Sequence, residues 1–489
     1  MIAGWLAAVL LAPQQPDVCS IQVPPHVVIT GTLRGDVDGD GRSDLTLACR
    51  DTTSGRRELR LHLRSDGAVP FAALPSRPPY GLETDVIAFA WADTTEAPGR
   101  ELVLCTAERV VAVERDADGA PLLRPLFAHR LVWPAADPDF ALPLAEARGD
   151  VDGDGRDDLL LPRPDGATWW RPGGAEVELA LPPRRNALAG RATRNGNGAA
   201  SLSRDELQLR LPFGDDDADA DRGPLLRVRA TAPPFRAIDL DGDGRRDLAA
   251  VRNDALFAWL QQADGTFAAR ELALPLPADR LSLFDPAFDV RCADLDGDRR
   301  ADLVLTTSAR RDDAIEVRID TFAALAEGGF GAAATGRLRV QALARPPQLV
   351  DADGDGALDL VLVTVRVDLL RTLSGDGPQA LDAQLLVFRN TGGRFAQPAL
   401  LQAPLRLPAN AEGQHAAFVH VDGGALVAFE EQRLERRPLA RDGERLTLLP
   451  PTTAWPLPDG ARVEPREPDA PTDEVLVRTE HELRVVRLR

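Results

Sequence analysis

Lysine is absent from this chain: all 57 basic residues are arginine, and methionine and tyrosine occur once each, at Met1 and Tyr80. That bias is compositional and carries no mechanism. Aromatic residues make up only 5%, so a core must come from Leu, Val and Ala within an apolar fraction of 44%. The four cysteines, Cys19, Cys49, Cys105 and Cys292, form no CxxC pair, which removes zinc-ribbon and thioredoxin-type chemistry. Four cysteines allow three connectivities; Cys19–Cys49 is one candidate pair near the N-terminus, and buried free thiols are the alternative for Cys105 and Cys292. HExxH, GxSxG and phosphate-loop motifs are all missing. The six histidines (His26, His62, His129, His415, His420, His481) are scattered, so no nucleophile–base pair follows from spacing.

Long apolar runs are lacking too. The run Ile2–Ala12 is too short to span a bilayer but matches a signal-peptide core. Export is therefore expected, with 1–19 as signal peptide and short leader and 20–489 as one domain. Pro16-Asp17-Val18 does not form a lipobox ahead of Cys19. Basic excess is also missing: the net charge is −19, which argues against a nucleic-acid partner because neutralising phosphates needs a basic surface. Twenty aspartates in five loops account for that charge, and the rest of the chain is near neutral.

Those loops read D-x-D-G-D-G-x-x-D-L. Position 1 is Asp36, Asp150, Asp239, Asp294 and Asp351; position 3 is Asp38, Asp152, Asp241, Asp296 and Asp353. Position 5 is Asp40, Asp154, Asp243, Asp298 and Asp355, and position 9 is Asp44, Asp158, Asp247, Asp302 and Asp359. Calcium takes six to eight hard oxygen ligands in a forgiving geometry. Carboxylates at 1, 3, 5 and 9, with the backbone carbonyl at 7 (Arg42, Arg156, Arg245, Arg300, Ala357), meet most of that demand. Glycines at 4 and 6 supply the positive φ the wrap needs. Arg299 stands at position 6 of the fourth loop, where the left-handed region costs about 1–2 kcal/mol, so this site is expected to be the weakest.

An EF-hand or dockerin needs an acidic ligand at position 12 and a helix after it. Here position 12 is Leu47, Leu161, Ala250, Leu305 and Leu362, inside short apolar runs that read as buried strands. The intact loops begin 114, 89, 55 and 57 residues apart, and the two long gaps hold worn copies. Asp93, Thr95, Ala97 and Glu101-Leu102 keep the offset, as do Thr193, Asn195, Asn197 and Ser201-Leu202. Further eroded copies stand at His420–Asp422 and before Glu474. Each copy is followed by strand–turn–strand, and four strands per repeat of about 45–60 residues is a propeller blade.

These loops, the Asp-Leu-apolar strand after each, and the turns Asn390–Phe395 and Asp264–Phe267 resemble the FG-GAP or VCBS repeats, best known from the calcium-binding blades of integrin α-chain heads. The resemblance covers nearly everything after residue 25. It implies an all-β propeller of four-stranded antiparallel blades, with the loops between the first two strands and four to five calcium ions as bracing. Nine candidate loops can be placed. The expectation is eight blades, with seven or nine as alternatives, and the last blade completed by an N-terminal strand near Ser20–Val23.

Three functions remain open: a non-enzymatic module binding protein or glycan through its loops, a polysaccharide lyase-like enzyme, and a lectin. The first is preferred. Trp169, Trp259 and Trp455 do not sit at equivalent positions, which counts against a lectin with one sugar pocket per blade. Trp169-Trp170 on adjacent strand positions point to opposite faces, so at most one belongs to a core. Arg34-Gly35-Asp36 and Arg148-Gly149-Asp150 are RGD tripeptides whose aspartates open metal loops, so adhesion through them is not expected. The acidic run Asp215–Asp221 reads as a solvated loop.

Overall fold

The computed structural model describes residues 18–182, 207–210, 229–232, 235–280, 288–365, 380–408 and 419–488. Within these spans it omits 68, 97, 116–120, 134–135, 146–147, 175, 279, 312–313, 345–346, 423, 431–432, 444, 459–460, 465–470 and 472. The expected signal segment, the worn copy at Thr193–Leu202 and the run Asp215–Asp221 lie outside the described residues.

All regular structure among the described residues is β. The apolar runs after the loops become the second strands of eight sheets, and they are buried on both faces. Asp44–Asp51 and Asp359–Val365 are covered along nearly their whole length. In each sheet consecutive strands pair antiparallel, as in the order Val27–Gly35, Asp44–Asp51, Arg57–His62, Tyr80–Leu82. In chain order the blades span 27–82, 88–128, 148–180, 235–273, 288–341, 348–408, 419–456 and 462–487. The eighth is completed by Val18–Gln22, which pairs with Glu482–Arg487 (Val18 opposite Val486, Gln22 opposite Glu482). That N-terminal contribution was legible in the sequence, and the strand also takes in Val18 and Cys19.

Burial on both faces follows from the ring. Eight apolar clusters fill the eight spaces between neighbouring blades, and one of them joins Ile21, Leu483 and Val485 to Ile29, Leu45 and Leu47, which closes the circle. The expectation for Trp169 and Trp170 is corrected by this arrangement. They do point to opposite faces, but both faces are covered: Trp169 packs toward blade 4 and Trp170 stacks on Phe127 of blade 2 at 5.4 Å. All six described tryptophans are buried. Between blades 3 and 4 the described residues form one hairpin, Leu207–Arg210 with Arg229–Ala232, instead of a further blade.

The cysteines are free thiols. Cys19 and Cys49 share the interface between blades 8 and 1, but the Cys19 thiol donates to the Phe71 carbonyl at 3.4 Å, so the candidate pairing is not formed. Both RGD arginines point into the fold. Arg34 is ion-paired with Glu474 at 2.9 Å, and Arg148 donates to the carbonyls of Trp91 and Arg34.

Removing residues 1–22 should cost on the order of 3 kcal/mol from lost burial of Cys19 and Ile21. It should also leave Glu482–Arg487 as an unpaired edge that promotes association. Thermal melts and gel filtration read the two effects.

Candidate metal centre

Each aspartate-rich loop leaves the first strand of its blade and enters the second, and its first carboxylate turns back to hold the loop. Asp36 accepts the N–H groups of Gly39 and Gly41, both at 2.8 Å. Asp150, Asp239 and Asp351 repeat this on their own glycines. Positions 3 and 5 accept the N–H two residues on, as Asp40 does from Arg42 at 2.9 Å. The wrap requires positive φ at position 6, where Gly41 has 80°. Arg299 adopts the same left-handed conformation, with φ 70°, and its N–H donates to Asp294 at 2.9 Å as glycine does elsewhere. The loop keeps its shape, so the strain falls on the folded chain whether or not an ion is bound, and Arg299 gives no ground for ranking this site the weakest of the five.

Position 9 is the anchor. Asp44, Asp158, Asp247, Asp302 and Asp359 are 0–2% exposed. One oxygen of each accepts the position-2 N–H: Val37, Val151, Leu240, Leu295 and Ala352. In four blades the other oxygen accepts a backbone N–H at or just beyond the end of the third strand, from Arg64, Gln261, Ala324 or Asn390. Oδ1 of Asp158 has no such partner. Burial pushes all five carboxyls up, Asp158 to about 7 and Asp359 to about 6, with a nearby position-3 carboxylate adding to the rise in both.

Within each loop, carboxylate oxygens from three aspartates lie within 4.8 Å of one another. The trio is positions 1, 3 and 5 in blades 1, 5 and 6, and positions 1, 3 and 9 in blades 3 and 4. An oxygen-only donor set over a buried aspartate, whose Oδ1 in blade 3 takes no backbone N–H, fits a hard divalent cation such as calcium. The position-7 side chains fold back: Arg42, Arg156, Arg245 and Arg300 pair with the position-5 aspartates. Reading the sequence missed these pairs, although the recurring D-G-R or D-R-R spacing signals them. The loops also touch neighbouring blades, through Arg100 N–H to the Val37 carbonyl at 3.1 Å and Asn390 Nδ2 to the Leu295 carbonyl at 2.7 Å.

Two worn copies keep the anchor and replace its surroundings. Glu101 accepts from the hydroxyls of Thr94 and Thr95. Glu474 takes Arg34, Arg64 and Arg487, and despite its burial Arg64 and Arg34 hold its carboxyl below the usual range. At His420–Asp422 the loop has shrunk to a turn, since Asp422 pairs directly with Ala425.

Arg299→Gly should relieve about 1–2 kcal/mol of strain, less the roughly 0.4–1 kcal/mol that glycine forfeits through the unfolded state. Urea unfolding should register a net gain of about 0.5–1 kcal/mol. A carboxyl raised above its unfolded range stabilises the fold while protonated, and that contribution is lost as pH rises through the folded value. For Asp158 the loss begins near the ordinary aspartate value of about 3.9 and is complete only about a unit above 7. His62 and His129, both lowered by burial, complete their effect near the ordinary histidine value of 6.5. In a chelator the melting temperature should therefore fall between about pH 6.5 and 8, and Asp158→Asn should flatten that slope.

Residues 239–305, which hold two of the five loops, match the model of the FG-GAP-like repeat. No curated protein matches the sequence. Similar solved structures include an Agrocybe aegerita lectin described as recognising non-reducing terminal N-acetylglucosamine, 15% identical over 78% of this chain and 86% of its own, with a TM-score of 0.35. Sqt1 from Chaetomium thermophilum is 10% identical over 94% and 97%, with a TM-score of 0.40. The WD40 domain of SCAP from fission yeast is 8% identical over 97% and 99%, with a TM-score of 0.33. The matched repeat, set in a ring of eight four-stranded blades, fits this chain as an FG-GAP repeat propeller.

Proposed function

We propose that this chain is an exported, calcium-braced propeller acting as a non-enzymatic binding module, with a protein or glycan ligand on the face opposite its calcium loops. A propeller of FG-GAP-like repeats fits a binding module. The single observation behind the calcium reading is the oxygen-only cluster, repeated five times over a buried aspartate. Calcium held there would cancel the repulsion among carboxylates that the loop brings within 4.8 Å. The chain's own contribution is the preset wrap, already held by backbone N–H groups.

The choice of face follows from strand direction. First strands run toward the calcium loops and second strands run away, so connections from second to third strands, and from one blade to the next, lie on the opposite side. The longest stretches between blades leave and return there: Ala180 to Phe235 and Ala128 to Arg148. These are stretches the repeat does not describe. Because the six described tryptophans are buried in blade interfaces, a glycan on this face would be held by polar groups and not by tryptophan stacking.

Metal analysis should find four to five calcium ions per chain, and Asp38→Ala should remove one. A ligand at a hundredfold excess over Kd stabilises by about 2.7 kcal/mol per site, so a chelator should lower the melting temperature steeply. An unchanged melting temperature would sink the brace. A glycan array run beside a polysaccharide-cleavage screen tests the rest: binding without cleavage supports the module, and cleavage of any polymer overturns its non-enzymatic reading.

A further inference from the structure

The five loops are not equivalent in the cations the protein itself supplies. Position-3 aspartates differ most. Asp152 of blade 3 is 8% exposed at its side chain and meets Arg171 Nη1 at 3.2 Å. Asp353 of blade 6 is 0% exposed, meets Arg389 Nε at 3.0 Å, and has Arg441 of blade 7 at 3.5 Å. Arg171 and Arg389 occupy the same place in the fold. Each follows the third-strand residue that pairs with the leucine after the position-9 aspartate: Trp170 opposite Leu159, and Phe388 opposite Leu360. In blades 1, 4 and 5 that register puts Leu63, Leu260 and Ala323 there instead. Among the described residues Asp38, Asp241 and Asp296 have no arginine partner.

We propose that Arg171 and Arg389 are built-in counter-cations that divide the calcium loops into two classes, tight in blades 1, 4 and 5 and weak in blades 3 and 6. This rests on the calcium reading above and assigns a rank order within it. A guanidinium on a ligand carboxylate competes with the ion for that oxygen and repels it at short range. The position-7 arginines do not create the division, because blades 1, 3, 4 and 5 all have one on position 5. Blade 6 has Ala357 there, yet two other arginines converge on Asp353.

Arg171 is also held against displacement. Its guanidinium lies over the Trp169 ring at 5.5 Å, a favourable cation–π geometry, and a Cβ on Gly265 of blade 4 would sit 3.1 Å from its Nη1. The blade 3 loop still has the donors for an ion, because Asp158 takes no N–H from its third strand and clusters with Asp150 and Asp152. Arg171 neutralises one carboxylate and leaves the site usable at higher calcium.

Calorimetric calcium titration of the full chain should resolve three tight sites and two that are roughly tenfold weaker. Arg171→Leu, and Arg389→Leu combined with Arg441→Leu, should each move one site into the tight class, leucine being the residue type at the equivalent place in blades 1 and 4. Arg171→Gln gives the same readout where the leucine variant folds poorly. Asp152→Asn should delete a weak site and Asp241→Asn a tight one. Five equal sites in the unaltered chain, or weak sites unmoved by the arginine variants, would overturn the division while leaving the brace intact. Absence of any calcium heat would instead remove the reading beneath it.

Discussion

The structure hangs on a carboxylate that has been taken out of water. At position 9 of each intact loop an aspartate is buried where the second strand begins, and it accepts one N–H from its own loop and, in four blades, another from the chain at the end of the third strand. Buried carboxylates are costly unless hydrogen-bonded or paired, and here hydrogen bonding ties three strands together. Two copies that lost the other ligands kept this group as glutamate and gave it new partners, threonines in one case and arginines in the other. The anchor therefore outlasts the ion site around it.

Much of this was legible because repetition multiplies a weak signal. One Asp-rich loop is ambiguous; five with the same glycines, the same closing Asp-Leu and an apolar run after each specify a loop between two strands. The worn copies at Asp93 and Glu474 then set the blade spacing. Even the borrowed strand at the N-terminus could be placed near Ser20–Val23, within a few residues of where it pairs with Glu482–Arg487. What the pattern could not carry were contacts between repeats. Arg171 meets Asp152 only because a third strand returns to the loop, and Arg441 reaches Asp353 from another blade.

The tryptophan pair illustrates the same limit. Alternation along a strand correctly separates Trp169 from Trp170, but it does not say what lies beyond each face. In an isolated sheet one face meets water; in a ring each sheet has a neighbour on both sides. Register also reveals an equivalence hidden in the linear sequence. His62, Trp170, Trp259, Phe322 and Phe388 all stand opposite the leucine that follows a position-9 aspartate. Trp170, Trp259, Phe322 and Phe388 each pack with that leucine in an interface between blades.

The strand borrowed by the last blade sets an order on assembly. Ser20 Oγ bonds Glu482 at 2.6 Å across 462 positions of chain, so Val18–Gln22 finds its place only when Glu482–Arg487 has been made. Until then seven blades must wait as an open arc with an unfilled groove at each end. Contacts this distant in sequence are slow to form and leave partly assembled chains prone to aggregate. The protein is a necklace whose clasp is threaded first and fastened last, and its biosynthesis must shelter both ends in the interval.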